Sequence, residues 1–290
     1  MIVVKLMGGL GNQMFQYAAG RALAHANKDV LKLDLSHYSN PPPGCVPRKY
    51  ELYNFNIKPE FATDEELQRF GRHGSPKRLL TRVKQLLGCV QPCYLTDPDI
   101  KFNPRFKKAT GDIYLDGYWQ STKYFEEIEG TIRTELQPLG SGDDHVARLC
   151  EEIKGSNSVC INVRRGDFLN NSFHGCLGMD YFGEGRKLLD ASLKNTRYYV
   201  FSDDVAWCRE QFSGSPDTTV VGHEYAGPDF MDYLFLMTSC RHFIIPNSSF
   251  AWWAAWLCSH PEKRVIAPLR WFNDPKIDTS DLVPGSWLRI

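Results

Sequence analysis

The chain has 290 residues, and its 34 lysine and arginine residues balance 34 aspartate and glutamate residues, so the formal net charge is +0. This balance excludes a strongly basic nucleic-acid-binding protein, and no apolar run approaches the ~18 residues of a transmembrane helix. Hydrophobic residues make up 42% of the sequence, enough for a sizeable core, and the length favours two domains. The nine cysteines are scattered, which indicates free thiols in a reducing compartment.

The N-terminal half opens with a strand, a glycine-rich turn and a helix. The β-branched run at 2–6 predicts a buried strand, residues 8–11 predict the turn, and Asn12 is expected to cap the helix that follows. A second strand is predicted at 30–33, directly before Asp34, which completes a βαβ unit. Further along, residues 75–90 have helical spacing with a basic face, and a strand is predicted at 113–115.

The C-terminal half alternates strands with helices. Strands are predicted at 159–163, 198–201, 218–221, 243–245 and 264–267, and helices at 205–212, 230–239 and 249–258. The stretch 138–144 is rich in glycine, serine and aspartate and predicts a linker. The sequence therefore predicts an α/β protein with two Rossmann-like domains, 1–142 and 143–290.

The glycine-rich turn has two chemical interpretations. Gly9 and Gly11 would let backbone N–H groups approach a phosphate at the start of a helix, although a tight turn alone also calls for glycines. Together with Asp34 they match part of the dinucleotide-binding fingerprint. Met14 stands where that fingerprint has its third glycine. A NAD(P)-dependent oxidoreductase built on Gly9, Gly11 and Asp34 is therefore an alternative prediction.

Charged side chains follow the strand predicted at 159–163. Ligands of open α/β sheets bind at such strand ends, and arginine offers a planar donor fork that matches phosphate oxygens. Side chains alternate along an extended chain, so Asn162 and Arg164 should share a ligand-facing side. Arg165 would then pair with Asp167 and hold the turn. A cluster of surface ion pairs is the alternative interpretation.

The segment 246–250 again joins a predicted strand to a helix. Ser248 and Ser249 would offer hydroxyl groups to a phosphate at the helix N-terminus, or one of them would be an ordinary N-cap. The tryptophans of that helix are expected to pack in the core. Asp232 lies on an apolar helix and needs a hydrogen-bonding partner if it is buried, which makes it a candidate acceptor for the edge of a nucleobase.

Metal binding is not expected. Asp97 and Asp99 form a D-x-D pattern in a proline-broken loop, whereas Asp203 and Asp204 follow a strand, where either could cap the next helix. Cysteine and histidine residues with zinc-ligand spacing are absent from the sequence. The motifs of serine hydrolases and zinc proteases are absent as well.

Taken together, five segments resemble the bacterial α-1,2-fucosyltransferases of glycosyltransferase family 11. They are GGLGNQMFQYAAGRALA near the N-terminus, GYWQSTKYF at 117–125, NVRRGDF at 162–168, FSDD at 201–204 and DYLFLMTSCRHFIIPNSSFAWWAAWL at 232–257. The resemblance implies the GT-B fold, in which two Rossmann-like domains face each other across a cleft. It also implies transfer of L-fucose from GDP-β-L-fucose to the 2-hydroxyl of a terminal galactose, with inversion and without a metal or other cofactor.

The resemblance further implies roles for single residues in donor binding. Arg164 matches the arginine that holds the donor diphosphate, Asn162 stands where many relatives have histidine, and Asp232 matches a carboxylate that binds guanine. Donor contacts are also expected of Gly9, Gly11, Arg165, Asp203, Asn247, Ser248, Ser249 and Phe250.

Three residues are expected to take part in the chemistry. Arg164 would neutralise the leaving diphosphate, Asn12 lies in the loop that the resemblance places opposite the donor, and Asp167 is the candidate base for the acceptor hydroxyl. An aromatic segment that follows a predicted strand is expected to stack on or hydrogen-bond the galactose acceptor. Its residues are Tyr118, Trp119 and Gln120.

The expected partners are GDP-L-fucose and a β-galactoside acceptor such as lactose or a polysaccharide repeat unit, with no nucleic acid. The expected location is a bacterial cytoplasm, with at most peripheral contact with the inner membrane. A non-catalytic sugar-binding module is a second alternative. Neither alternative accounts for two phosphate-type sites in two α/β halves.

Overall fold

The computed structural model describes residues 1–42, 46–70, 93–97, 99–169 and 171–290, and the helix predicted at 75–90 lies outside these ranges. The chain divides into two compact units, Met1–Leu136 and Gln137–Ile290. Each unit is built on a parallel β-sheet. The sequence places the boundary after residue 142, whereas the structure assigns residues 137–142 to the second unit.

The first unit contains a parallel sheet in the order β3-β2-β1-β5-β4. Its strands are β1 (Ile2–Lys5), β2 (Leu31–Asp34), β3 (Glu60–Phe61), β4 (Cys93–Thr96) and β5 (Ile113–Asp116). Its helices are α1 (Leu10–Asn27), α2 (Ser36–Ser39), α3 (Asp64–Arg69) and α4 (Glu129–Glu135). Because β2 and β3 lie on one side of β1 and β5 on the other, the loops after β1 and β5 begin side by side at the switch in strand order.

Helix α1 corrects one detail of the sequence prediction. It begins at Leu10 with Gly9 as the N-cap residue, so Asn12 lies inside the first turn and does not cap the helix. Met14 is fully buried, and the close approach of helix and strand occurs at Gly20 instead. A Cβ atom there would lie 2.8 Å from Leu31 Cδ1 and 3.1 Å from Val4 Cγ1.

The second unit contains a six-stranded sheet in the order β11-β10-β9-β6-β7-β8, which is the Rossmann strand order. Its strands are β6 (Asn157–Val163), β7 (Thr196–Ser202), β8 (Thr218–Val220), β9 (His242–Ile244), β10 (Val265–Ala267) and β11 (Leu288–Arg289). Its helices are α5 (Asp144–Gly155), α6 (Met179–Asp190), α7 (Val205–Gln211), α8 (Met231–Thr238) and α9 (Ser249–Leu257). All eight elements predicted for this half are present within two residues of their predicted bounds.

Burial explains these elements. The residues of β6 from Ser158 onward are buried, as expected of a central parallel strand. Trp252 and Trp253 of α9 are fully buried, as predicted, and Trp252 Nε1 donates to the Leu282 carbonyl at 2.9 Å. The two parallel α/β units confirm the predicted fold class of two Rossmann-like domains.

Two further findings concern the described part of the chain. The cysteines in these ranges form no disulfide. Within the same ranges, each helix is too short or too polar to cross a membrane.

Candidate functional site

The switch in strand order of the second unit lies between β6 and β9. Ile161 pairs in register with Ile244, so the loops that begin at Arg164 and Ile245 start from neighbouring strand ends. The carboxyl ends of strands at such a switch are where open α/β sheets bind ligands. The structure thus places the two predicted phosphate-binding segments of this unit beside each other.

Arg164 is held between two carboxylates. Its Nη2 lies 2.7 Å from Asp167 Oδ1, and its Nη1 lies 2.9 Å from Asp203 Oδ2. The guanidinium carbon also lies 5.5 Å from the centre of the Phe168 ring. These ion pairs use two of the five guanidinium N–H donors. The arginine is therefore fixed in position, half-buried, with donors remaining for an anionic ligand.

Arg165 has a different partner from the one predicted. Its Nε bonds Asp204 Oδ2 at 3.1 Å, and its guanidinium carbon lies 4.0 Å from the centre of the Trp207 ring. Asp204 also caps α7 by accepting the Trp207 N–H at 3.2 Å, and the Arg165 guanidinium lowers the pKa of this carboxyl. Arg165 thus stabilises the start of α7, and Asp167 pairs with Arg164.

The predicted pairing was wrong because the extended strand ends too early. Strand β6 stops at Val163, and Arg165 has φ −128° and ψ −57° where a 3₁₀ turn begins. The alternation of side chains that holds within a strand therefore does not extend to Arg164 and Arg165.

Asp203 holds the loop that carries Arg164. Its Oδ1 accepts the backbone N–H of Arg165 at 2.9 Å, while its Oδ2 pairs with Arg164. A Cβ atom on Gly166 would lie 2.7 Å from Asp203 Oδ2, so a side chain there would displace this carboxylate oxygen. Both carboxylate oxygens of Asp203 are therefore engaged within the protein.

The loop after β9 leads into the N-terminus of α9. Ser248 is the N-cap residue, and its side chain makes no capping hydrogen bond. Asn247 is buried, and its Nδ2 donates to the carbonyls of His174 at 2.9 Å and Trp271 at 3.0 Å. Ser249 and Phe250 are half-buried in the first turn of α9. Asn247 therefore anchors the loop, and the Ser248 hydroxyl is not used for capping.

His174 is a residue of this site that the sequence analysis missed. Its ring stacks on Phe168 with a centroid distance of 4.7 Å and an interplanar angle of 6°, and burial lowers its pKa. Asn171 brings it there, because Asn171 Oδ1 accepts the backbone N–H groups of Phe173 and His174. The only sequence signal is a loop asparagine of the kind that forms Asx turns, which does not indicate a ring stack.

Two other predicted donor residues are buried in the second unit. Asn162 Nδ2 donates to the Phe201 carbonyl at 3.2 Å, so its side chain is engaged within the sheet and does not share an open side with Arg164. Asp232 is 2% exposed, and its Oδ1 accepts the Ser141 N–H at 2.7 Å. The hydrogen-bonding partner that the sequence requires for Asp232 is thus a backbone group of the segment 137–142. Its role toward guanine stays a prediction.

The switch point of the first unit is built from side-chain amides. Gly8 has a φ of +76°, and Gly9 and Gly11 flank the start of α1. Gln120 Nε2, from the loop after β5, donates to Asn12 Oδ1 at 2.8 Å. Gln120 is thus bound to Asn12 through its amide nitrogen, and its predicted contact with an acceptor stays a prediction.

Trp119 corrects the predicted acceptor site. Its side chain is fully buried, with ring centroids 5.6 Å from Phe106 and 5.2 Å from Tyr124. A left-handed backbone with φ of +54° turns it inward, and the backbone N–H of Trp119 donates to Asp97 Oδ2 at 2.8 Å. Trp119 therefore cannot stack on a sugar in this conformation. Of the three predicted acceptor residues, Tyr118 presents an exposed ring.

Asp97 gives the first unit a pH-dependent stability. Burial raises its pKa from 3.8 to about 6, so its contribution favours the folded state at low pH and is lost as the pH rises from about 4 through 6. Asp97→Asn keeps an acceptor for the backbone N–H of Trp119. Between pH 4 and pH 7.5, we expect its free energy of unfolding to rise by about 2–3 kcal/mol relative to that of the wild-type protein. Urea unfolding at both pH values measures this, with exposed Asp99→Asn as control. Equal differences at the two pH values would contradict it.

The carboxylate of Asp34, on which the predicted dinucleotide site depends, is bound within the protein. Asp34 is buried and accepts the Ser36 N–H at 2.8 Å, the Ser36 hydroxyl at 3.1 Å and the Tyr114 hydroxyl. It is therefore engaged within the protein and not placed to bind a ribose. Among the residues that the structure describes, His, Cys, Asp and Glu form no group of three that could hold a metal ion.

Comparison with known proteins places the chain in a family. Residues 101–290 match the family model described as glycosyl transferase family 11. The chain is 32% identical over 298 residues to an alpha-1,2-colitosyltransferase of Escherichia coli, covering 100% of this chain and 98% of the relative. It is 24% identical over 311 residues to a galactoside 2-alpha-L-fucosyltransferase of Caenorhabditis elegans, covering 100% and 79%.

A solved structure is similar in fold. The FUT1 protein of Arabidopsis thaliana in complex with GDP superposes with a TM-score of 0.50 at 12% identity, covering 91% of this chain and 69% of that protein. The protein is a glycosyltransferase of the fucosyltransferase type. It belongs to glycosyltransferase family 11.

Proposed function

We propose that this protein transfers L-fucose from GDP-β-L-fucose to the 2-hydroxyl of a terminal galactose, with inversion and without a metal. The observation that carries the proposal is Arg164, fixed by Asp167 and Asp203 at the switch in strand order beside the N-terminus of α9. The family membership and the fucosyltransferase of C. elegans support the reaction class.

The proposed chemistry matches these groups. Cleavage of the bond between fucose and phosphate develops negative charge on the departing GDP and positive charge on the sugar ring. Preorganised donors stabilise such developing charge. Arg164 supplies a cation that needs little reorganisation, since two carboxylates already orient it. Backbone N–H groups at the start of α9 and the Ser248 hydroxyl supply neutral donors.

Inversion in one displacement requires the acceptor hydroxyl to attack opposite the leaving phosphate. A base that takes the hydroxyl proton accelerates this step, and Asp167 is our candidate. Its Oδ1 is bound to Arg164, so in this proposal Asp167 both orients the arginine and accepts the proton.

Asp203 should affect catalysis through Arg164. In Asp203→Asn the amide still accepts the Arg165 N–H, but the negative charge beside Arg164 Nη1 is lost. We expect kcat/KM for the donor to fall about 10-fold, because the guanidinium loses one of its two orienting ion pairs. Steady-state kinetics measure this, with Asp204→Asn, which pairs with Arg165, as the matched control. Equal effects of the two substitutions would contradict the assignment.

The sugar of the donor has a second candidate. The E. coli relative is named as a colitosyltransferase, and colitose is L-fucose without its 3-hydroxyl. Offering GDP-L-fucose and GDP-colitose in equal amounts tests the choice directly. Preferred transfer of fucose supports the proposal, whereas exclusive transfer of colitose replaces the donor and keeps the reaction class.

The reaction is tested with purified protein, GDP-L-fucose and lactose in EDTA, with products identified by mass spectrometry. A fucosylated trisaccharide supports the donor, the acceptor class and metal independence. Free fucose without transfer keeps the donor and rejects the acceptor. Binding of lactose without any turnover of a nucleotide sugar would instead support a sugar-binding module.

A further inference from the structure

Side-chain amides of α1 hold together the carboxyl edge of the first sheet. Gln16 is fully buried; its Oε1 accepts the Met7 N–H at 3.0 Å, and its Nε2 donates to the Gly117 carbonyl at 3.2 Å. Gln16 thereby joins the loop after β1 to the loop after β5. A buried network of amides holds the backbone in a single arrangement when its donors are paired with acceptors.

A second buried glutamine extends this network along the chain. Gln13 donates to the carbonyls of Gly8 at 3.2 Å and Lys49 at 2.8 Å, and it accepts the Glu51 N–H at 2.9 Å. The contacts of Gln13 and Gln16 fix the backbone on both sides of Asn12. The backbone that carries the Asn12 side chain is therefore held in place.

Asn12 has one end of its amide fixed. Gln120 is 9% exposed, and its Nε2 donates to Asn12 Oδ1 at 2.8 Å. The contact sets the polarity of the Asn12 amide, because only Oδ1 can accept from a glutamine N–H. Asn12 Nδ2 has no hydrogen-bond partner among the described residues, and the side chain is half-buried. A Cβ atom on Gly8 would lie 2.6 Å from this nitrogen, so glycine leaves room for it.

We propose that Gln120 is a positioning residue that orients the Asn12 amide so that Nδ2 donates a hydrogen bond to an oxygen of the sugar substrate. This inference rests on the proposed function and on the family resemblance, which places Asn12 in the loop opposite the donor. Gln120 acts only through Asn12. The hydrogen bond between the two amides decides whether a donor or an acceptor faces the sugar.

Reversing the polarity of residue 120 tests the proposal. In Gln120→Glu the ionised carboxylate accepts from Asn12 Nδ2 and turns Oδ1 toward the substrate, so that no N–H donor faces the sugar oxygen. We expect kcat/KM to fall about 30-fold at pH 8, whereas Gln120→Met, which only removes the bond, loses about 5-fold. An unchanged kcat/KM in folded Gln120→Glu would overturn the proposal.

The pH profile separates orientation from a merely structural role. Once protonated, the carboxyl group introduced by Gln120→Glu donates to Asn12 Oδ1 as the glutamine amide does, and burial raises the pKa of a carboxyl group. The activity of Gln120→Glu relative to wild type should therefore rise several-fold between pH 8 and pH 6. In the Asn12→Ala background, replacing residue 120 should change kcat/KM less than about 2-fold. The proposal would be contradicted if the losses of kcat/KM from Asn12→Ala and from the substitution of Gln120 multiplied in the double variants. A ratio of Gln120→Glu to wild-type activity that does not change with pH would contradict it as well.

A readout without catalysis keeps this inference distinct from the proposed function. Side-chain amide exchange by NMR in the wild-type protein should show protected Gln120 protons and fast-exchanging Asn12 protons. If the wild-type protein transfers no fucose, the proposed function fails while this pattern still supports the orientation. Fast exchange at Gln120 would overturn the orientation even if transfer is observed.

Discussion

Replacing Arg164 with alanine should lower kcat/KM for GDP-L-fucose by at least about 100-fold, the loss typical of removing one preorganised donor from a developing oxyanion. Arg164 is oriented by ion pairs of 2.7 and 2.9 Å to Asp167 and Asp203, so its donors are already in place when the phosphate departs. The loss should appear in kcat as well as in KM, because the interaction strengthens as the leaving group gains charge.

Arg165→Ala is the matched control for this prediction. Arg165 follows Arg164 in the chain, but its guanidinium bonds Asp204 and stacks on Trp207. Its removal should therefore lower the stability of the start of α7 and leave most of kcat/KM intact. Thermal unfolding and steady-state kinetics on both variants measure the two effects. Similar kinetic losses in both folded variants would contradict the assignment of the diphosphate to Arg164.

Asp167→Asn should lower kcat by about 100-fold with a smaller change in the KM for the donor. A positioned base contributes roughly 10²–10⁴-fold, and asparagine cannot accept the acceptor proton at neutral pH. The substitution is mild for Arg164, because the amide oxygen of asparagine can still accept from Nη2 at the place of Asp167 Oδ1. Most of the loss therefore reports the missing base.

Asp203→Asn provides the matched control for Asp167→Asn, because it also removes one of the two negative charges beside Arg164. Asp167→Asn should lower kcat more than Asp203→Asn does, since only Asp167 is the candidate base. If Asp167→Asn folds normally and keeps near wild-type turnover, Asp167 is not the base. It would then serve only to orient Arg164.

The sequence predicts most of the fold of the second unit because its core strands and helices are strongly patterned. Strand β6 contains the apolar stretch 159–161, and the tryptophans of α9 are buried. Such runs bury the same residues in almost any α/β packing. Helix α6 was not predicted because glycine and charged residues interrupt its apolar spacing.

The candidate site is less predictable because backbone geometry decides it. The pairing of Arg164 with Asp167 depends on the strand ending at Val163. The burial of Trp119 depends on a left-handed residue held by Asp97. Neither the ion pair nor the buried ring can be predicted from composition or periodicity, because aromatic and charged residues after a strand are found in both exposed and buried orientations.

The family resemblance contributed what local patterns could not. The oxidoreductase alternative depended on Asp34, which ends β2 at a suitable spacing from the glycine-rich turn, yet the structure engages its carboxylate with Ser36 and Tyr114. Spacing alone does not distinguish a ligand-binding carboxylate from one that holds a turn. The family match over 101–290 assigns the chain to the glycosyltransferases and not to the oxidoreductases.

The proposed transfer of fucose to the galactose 2-hydroxyl can be checked by the NMR spectrum of the product formed from GDP-β-L-fucose and lactose. We expect an α-anomeric fucose proton and a through-bond correlation from fucose C1 to H2 of galactose. That one spectrum reports the donor sugar, the acceptor position and inversion together. A β-linked fucose, or a correlation to any other galactose position, would show that the proposed reaction is wrong.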